Sequence, residues 1–214
     1  ATVITNSGTI SGTADGILVN TDALGAIITN NATGTISGNY GIQSATGGSV
    51  VNNGTITGAD GDGVRLSGTQ DATVTLGATS TTGGTSQAVQ FEGTGTNTLN
   101  VVAGATANGE LQGSEGAGAT NILNLSGAAD AFSVLDALNF AQVNVMGGVF
   151  DLSADSTNIG AVSITGGTLL VNSAATGPIA VSDDGTLGGS GSGGAPTISN
   201  GGTINPGDAG EVGE

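Results

Sequence analysis

Ser7-Gly8-Thr9-Ile10-Ser11-Gly12 returns as Thr33-Gly34-Thr35-Ile36-Ser37-Gly38 and again as Asn53-Gly54-Thr55-Ile56-Thr57-Gly58. Ile10 and Ile36 lie 26 residues apart, and Ile36 and Ile56 lie 20 apart. A repeat of this length marks a solenoid, in which each unit has too few apolar side chains to bury a face alone and covers it against its neighbours. Every copy is followed by a second apolar element, at Ile17, Ile42 or Val64. A third follows at Ile27-Ile28, Val50-Val51 or residues 74–76, with Gly, Asn and Asp turn residues between them. Three short strands per coil of about 20 residues predict an all-β chain, a right-handed parallel β-helix (β-solenoid).

Further along, the same period carries other residues. Leu99-Asn100-Val101, Leu123-Asn124-Leu125 and Val143-Asn144-Val145 recur after 24 and then 20 residues. Alternation along a strand points each apolar pair inward and each Asn outward. The last third repeats a strand, a Gly-Gly-like turn and a second strand at Gly148, Gly167, Gly185 and Gly202. One solenoid domain is therefore expected over 1–214: Gly-Thr-Ile repeats at 1–80, middle coils at 81–146, Gly-Gly-Thr-Leu repeats at 147–207, and an acidic tail at 208–214. Residues 130–141, with Phe132, Val134, Leu135, Leu138 and Phe140, read as a short helical turn or a wider coil that plugs the core. Thr9, Thr35 and Thr55 would form one column, but their uneven spacing argues against the flat threonine lattice of ice-binding solenoids.

Composition narrows the function. Glycine supplies 42 of 214 residues, hydrophobic residues supply 36%, and charged residues only 8%. The apolar content is too high for a disordered chain, so the glycines are assigned to turns. Seventeen acidic residues face a single basic one, Arg65, and His and Cys are absent. Nucleic acids and anionic membrane surfaces both require cationic side chains, so neither is expected as a partner. No apolar run is long enough to span a bilayer as a helix.

Chemistry has few carriers. Asp60 with Asp62, and Asp183 with Asp184, are the adjacent carboxylates that a glycoside hydrolase would need. Both pairs sit in Gly-rich stretches where Asp is the expected turn residue. A lyase needs a base, and Arg65 stays protonated. Tyr40 is the only tyrosine, and tryptophan is absent. The reading is no enzyme, no catalytic residue and no cofactor, with Asp60 and Asp62 as the one calcium-loop candidate, lacking an EF-hand's closing Glu.

Three stretches carry a family resemblance: Val-Ser-Ile-Thr-Gly-Gly-Thr-Leu-Leu-Val at 162–171, Asp-Asp-Gly-Thr-Leu-Gly-Gly-Ser-Gly-Ser-Gly-Gly at 183–194, and Thr-Ile-Ser-Asn-Gly-Gly-Thr-Ile-Asn-Pro-Gly at 197–207. Together with the N-terminal repeats they resemble the passenger domain of bacterial autotransporters (type V secretion) and related β-helical adhesins. The resemblance implies a protein secreted to the bacterial cell surface, stalk-like, structural or adhesive. It departs from the family in lacking the translocator barrel's aromatic girdles. It also lacks the His that a serine-protease module would need. Expected partners are other copies of the chain, other surface components, and a glycan or host-cell ligand. Strand signals start at Val3-Ile4 without a cap and run to Ile204, so the chain reads as a fragment or as a unit that stacks head to tail. The alternative is a β-helix that binds or degrades polysaccharide.

Overall fold

The computed structural model describes residues 2–21 and 25–207. Every regular element among them is a strand, and the strands of successive coils pair in parallel. The longest ladder, the first column, runs through Thr2–Asn6, Ala26–Asn30, Gly48–Asn52, Ala72–Leu76, Thr96–Val102 and Thr120–Ser126. It continues through residues 142–145, 161–164 and 179–181 to Thr197–Ile198. These ten strand segments form a parallel β-solenoid. Residues 208–214, read from sequence as an acidic tail, lie outside the described residues.

The aliphatic period explains the stacking. Ile4, Ile28, Val50, Val74, Leu99, Leu123, Val143, Val162 and Ile179 stand directly above one another. From Ile28 to Ile179 each is at most 4% exposed. Burying such a side chain is worth about 1.5–3 kcal/mol, so a column of them stabilises every coil it crosses. The second column carries the Gly-Thr-Ile motifs, with Ile10, Ile36 and Ile56 in register. The third column carries Ile17, Ile42, Val64, Val89 and Leu111. The outward Asn100, Asn124 and Asn144 form a ladder of side-chain amides at 2.9 and 2.8 Å.

Three expectations change. First, Thr9, Thr35, Thr55, Thr81 and Thr106 align in one outward row despite their uneven sequence spacing. The extra residues go into loops between columns, so spacing is no argument against a regular threonine face. Second, residues 130–141 form no helix and no simple plug. Leu135 and Phe140 are buried, whereas Phe132 and Val134 are 50% and 51% exposed. Ser133 takes the inward place instead, accepting from Gly104 N at 3.0 Å and donating to Ala105 O at 2.8 Å. Its hydroxyl bridges the one interval of the second column where strand pairing lapses. Third, beyond residue 137 the three short strands merge into long ones, Ala137–Leu152 and Thr157–Val171, which bend through corners at bulges. Gly148 and Gly167 hold those corners with φ of 84° and 73°. A Cβ on Gly167 would collide with the Gly148 carbonyl below it.

A second buried device was not anticipated from the sequence. Asn6 donates to Asn30 and Asn30 to Asn52, both at 2.9 Å, and Asn52 donates to Thr82 Oγ1 at 2.8 Å. The same amide groups also donate to backbone carbonyls at the corner between the first two columns: Gly8 and Thr35, Gly34 and Thr55, then Thr81. This asparagine row is continued in register by Leu76, Val101, Leu125, Val145 and Ile164.

Candidate functional site

The outer face of the third column differs from the rest of the surface. In a strand that points Ile42, Val64, Val89 and Leu111 inward, the next residue points outward. Those residues are Gln43, Arg65, Gln90 and Gln112, paired rung to rung in register. Leu18 and Leu138 close the row at either end. Beside it stand Tyr40, Gln87, Glu92, Glu110 and Glu115. Most of the remaining surface is built from Thr, Ser, Asn and Gly, whereas this face holds the only Tyr, the only Arg and four of the six glutamines. It also holds every glutamate among the described residues.

Half of the face is internally locked. Arg65 donates from Nε to Glu92 Oε2 at 2.9 Å and from Nη2 to Glu92 Oε1 at 2.6 Å, and from Nη1 to the Tyr40 hydroxyl at 3.2 Å. Its guanidinium also lies over the Tyr40 ring, 5.5 Å from the centroid. The bonds to Glu92 raise the Arg65 pKa above its ordinary value and outweigh its partial burial. Gly61 packs against the Tyr40 ring so closely that a Cβ there would meet it at 2.6 Å. The ring is therefore a buttress for Arg65, not a free stacking platform.

The other half is open. Gln90, Glu92, Gln112, Ser114, Glu115 and Gly116 line a groove of about 230 Å³. Among the described residues neither the Gln90 nor the Gln112 amide has a hydrogen-bond partner, although the two are neighbours across the ladder. Glu115 accepts from Asn139 Nδ2 at 3.1 Å, and Glu110 receives a long bond of 3.4 Å from Gln87.

The residues singled out from sequence fall in different places. Asp60 is exposed, whereas Asp62 is 3% exposed, with its Oδ1 accepting from Gln87 N at 3.2 Å. Desolvation pushes the Asp62 carboxyl above its ordinary pKa, against the Gln87 bond and the nearby Arg65. The two thus differ in setting, Asp60 at the surface and Asp62 inside the wall. Among the described residues no group of three or more acidic side chains converges as a metal-binding set. Asp183 and Asp184 are exposed, and Asp183 adopts φ of 52°, the left-handed turn conformation that Asp tolerates. Burial, with Glu110 and Asp155 nearby, raises the Asp136 carboxyl as well.

The glutamine row was missed from sequence although a signal was present. An aliphatic residue followed by a long polar one recurs as Ile42-Gln43, Val64-Arg65, Val89-Gln90 and Leu111-Gln112, at intervals of 22, 25 and 22. Glycine-rich turn motifs at the same period masked it.

The fold and this face define a parallel β-solenoid with a groove on its glutamine-bearing side. No family model, curated protein or solved structure matches the chain.

Proposed function

We propose that this chain is an extracellular structural and adhesive solenoid, a stalk-like surface segment of the autotransporter-passenger type, and not an enzyme. The observation that supports this reading most is the single uninterrupted ladder of ten strand segments in the first column. A rod of this kind projects a surface away from its anchorage, and adjacent coils are bound by backbone hydrogen bonds and a shared core. Its aspartates are scattered and most of its other outer rows are Thr, Ser and Asn, which suits a solvated surface. In the filament version the end coil of one copy stacks on that of the next.

Two measurements test the reading. Polystyrene beads coated with the chain should adhere to one another, to bacterial cells or to host-cell matrix, and beads that adhere to none of these would refute the adhesive role. Negatively stained micrographs at high protein concentration should show rods joined end to end. Isolated rods only would remove the filament version and leave the stalk. The in-register threonine row favours one further reading, a face that orders water as ice-binding solenoids do. Absence of any gap between melting and freezing points in a chain solution would rule it out.

A further inference from the structure

The geometry points to the glutamine–glutamate groove of the third column as a binding site for a hydroxyl-rich glycan strand free of acidic groups. The inference rests on the adhesive reading and locates the adhesive contact. Long polar side chains are poor choices for an exposed strand, because they lose rotamer freedom and contribute little β-propensity. Among the glutamines and glutamates of the described residues only Gln70 and Gln142 lie elsewhere, and the others gather on adjacent rungs. Internal pairing accounts for Arg65, Glu92 and Tyr40, but leaves the amides of Gln90 and Gln112 without partners at the wall of the groove.

The groove's chemistry selects the ligand. A primary amide presents two donors and an acceptor, and a carboxylate accepts on both oxygens, so together they can serve successive hydroxyl pairs of a sugar. The groove's Gln90 and Gln112 stand on adjacent rungs about 5 Å apart, and the outward row continues past them through Arg65 to Gln43 along the solenoid axis. A face that continues along the axis suits an extended polymer better than a small metabolite. Glu92, Glu110 and Glu115 outnumber the one cation, Arg65, which Glu92 already neutralises. A uronate or sulfated chain would meet like charge here, whereas a neutral sugar or an amino sugar would not. With the Tyr40 ring covered by Arg65 and Gly61, hydrogen bonds carry the contact and no aromatic stacking assists it.

Isothermal titration calorimetry of the full chain with cellohexaose, with a glucosamine hexamer and with hexagalacturonate tests this. Binding of either of the first two, with none of the third, is expected, and the stronger of the two identifies the neutral or the amine-bearing source. The double variant Gln90→Ala, Gln112→Ala should weaken binding roughly tenfold, the effect of losing a small number of hydrogen bonds. The double variant Thr168→Ala, Thr186→Ala, on the second column, should bind as the parent does. Circular dichroism confirms that both variants fold. Binding to hexagalacturonate alone, binding to none of the three, or binding unchanged by the glutamine substitutions would overturn the assignment. Coated beads separate the two readings. Beads of the glutamine variant that adhere as well as the parent sink the groove and leave the adhesive role, whereas parent beads that adhere to nothing sink the adhesive role itself.

Discussion

Before residue 81 the solenoid turns each corner by leaving the strand; after residue 137 it turns some of them inside a strand, leaving it only at residues 153–156 and 172–178 before Gly189. The early strands are three to five residues long, from Thr2–Asn6 to Ala72–Leu76. The late ones, Ala137–Leu152, Thr157–Val171 and Ile179–Gly189, have 16, 15 and 11 residues. Coil length follows. Ile4, Ile28, Val50 and Val74 are separated by 24, 22 and 24 residues, but Val143, Val162 and Ile179 by 19 and 17. One inward row changes its chemistry between the two regions. Where it is asparagine, the side-chain amides satisfy corner carbonyls, and the backbone is free to make a wide turn. Where it is aliphatic no side chain can do so; at Leu76, Val101 and Leu125 the corner still leaves the strand, and at Val145 and Ile164 it keeps pairing with the coil beneath through tight glycine bulges.

Exchanging the two row types is the most severe way to break that comparison. Leu125→Asn would place an amide in a row whose vertical neighbours are Val101 and Val145, with no partner among them. The lost burial and the unsatisfied amide together should cost roughly 4–5 kcal/mol. Asn30→Leu is the reciprocal change and should cost about 3 kcal/mol, because Asn6, Asn52 and the Gly34 and Thr55 carbonyls each lose a partner. Urea unfolding followed by circular dichroism reads both. An unchanged midpoint for Asn30→Leu would mean that the asparagine ladder is a passive substitute for the aliphatic one.

Next in size come the corners. Gly167→Ala forces a Cβ into a left-handed backbone conformation and against the coil below, at a cost of roughly 2–3 kcal/mol. Gly8, at the corner of the first described coil, has nothing within 4 Å of the corresponding position and no positive φ, whereas at Gly54 a Cβ would collide with the Gly34 carbonyl of the coil below. Gly8→Ala should therefore change stability by no more than about 1 kcal/mol, in the stabilising direction. Equal losses at the two sites would show that the left-handed backbone and the coil below add no strain at Gly167.

The parts legible in sequence were those that repeat in apolar residues. The three inward elements of each early coil, and the flanking strands of Gly148 and Gly167, pair as their spacing requires. The asparagine row was hidden because Asn6, Asn30 and Asn52 each end a strand beside other turn residues, where asparagine ordinarily closes a loop. Residues 130–141 misled for another reason. Their apolar content suggested a plug, but strand alternation with Ser133 inward puts Phe132 and Val134 outside. Which coils would merge into long strands depends on corner geometry, and the motifs report only its glycines.

A smaller effect probes the one charged group inside the early coils' wall. Burial raises the Asp62 pKa in the folded chain above its unfolded value. Its favourable contribution is therefore present below the ordinary Asp range and is lost as pH rises through the raised value. Asp62→Asn, which keeps an oxygen for the Gln87 amide, should raise the urea midpoint at pH 7 and flatten the gain in stability on acidification. Asp136, raised by burial and by Glu110 and Asp155, adds to the same trend and has no early-coil counterpart to compare with. A midpoint lowered at pH 7 by Asp62→Asn would mean that Arg65 outweighs the burial.

The smallest effect belongs to the most conspicuous contact. Arg65 and Glu92 form the chain's one described ion pair, forked and 2.6 Å at its closest, with side chains 27% and 35% exposed. Water and salt screen a pair so placed, and holding two long side chains in one geometry costs rotamer entropy. Arg65→Ala should cost about 0.5 kcal/mol in low salt, with some of that from lost packing on Tyr40, and less in 0.5 M NaCl. Arg65→Lys should keep the charge and lose the fork, and so recover only part of the difference. A loss several times larger, unaffected by salt, would make the third column's wall depend on this pair as the first column's corner depends on its asparagines. The expected small loss makes the pair an organiser of the polar face, holding Glu92 at the groove's edge while coil stacking supplies the stability.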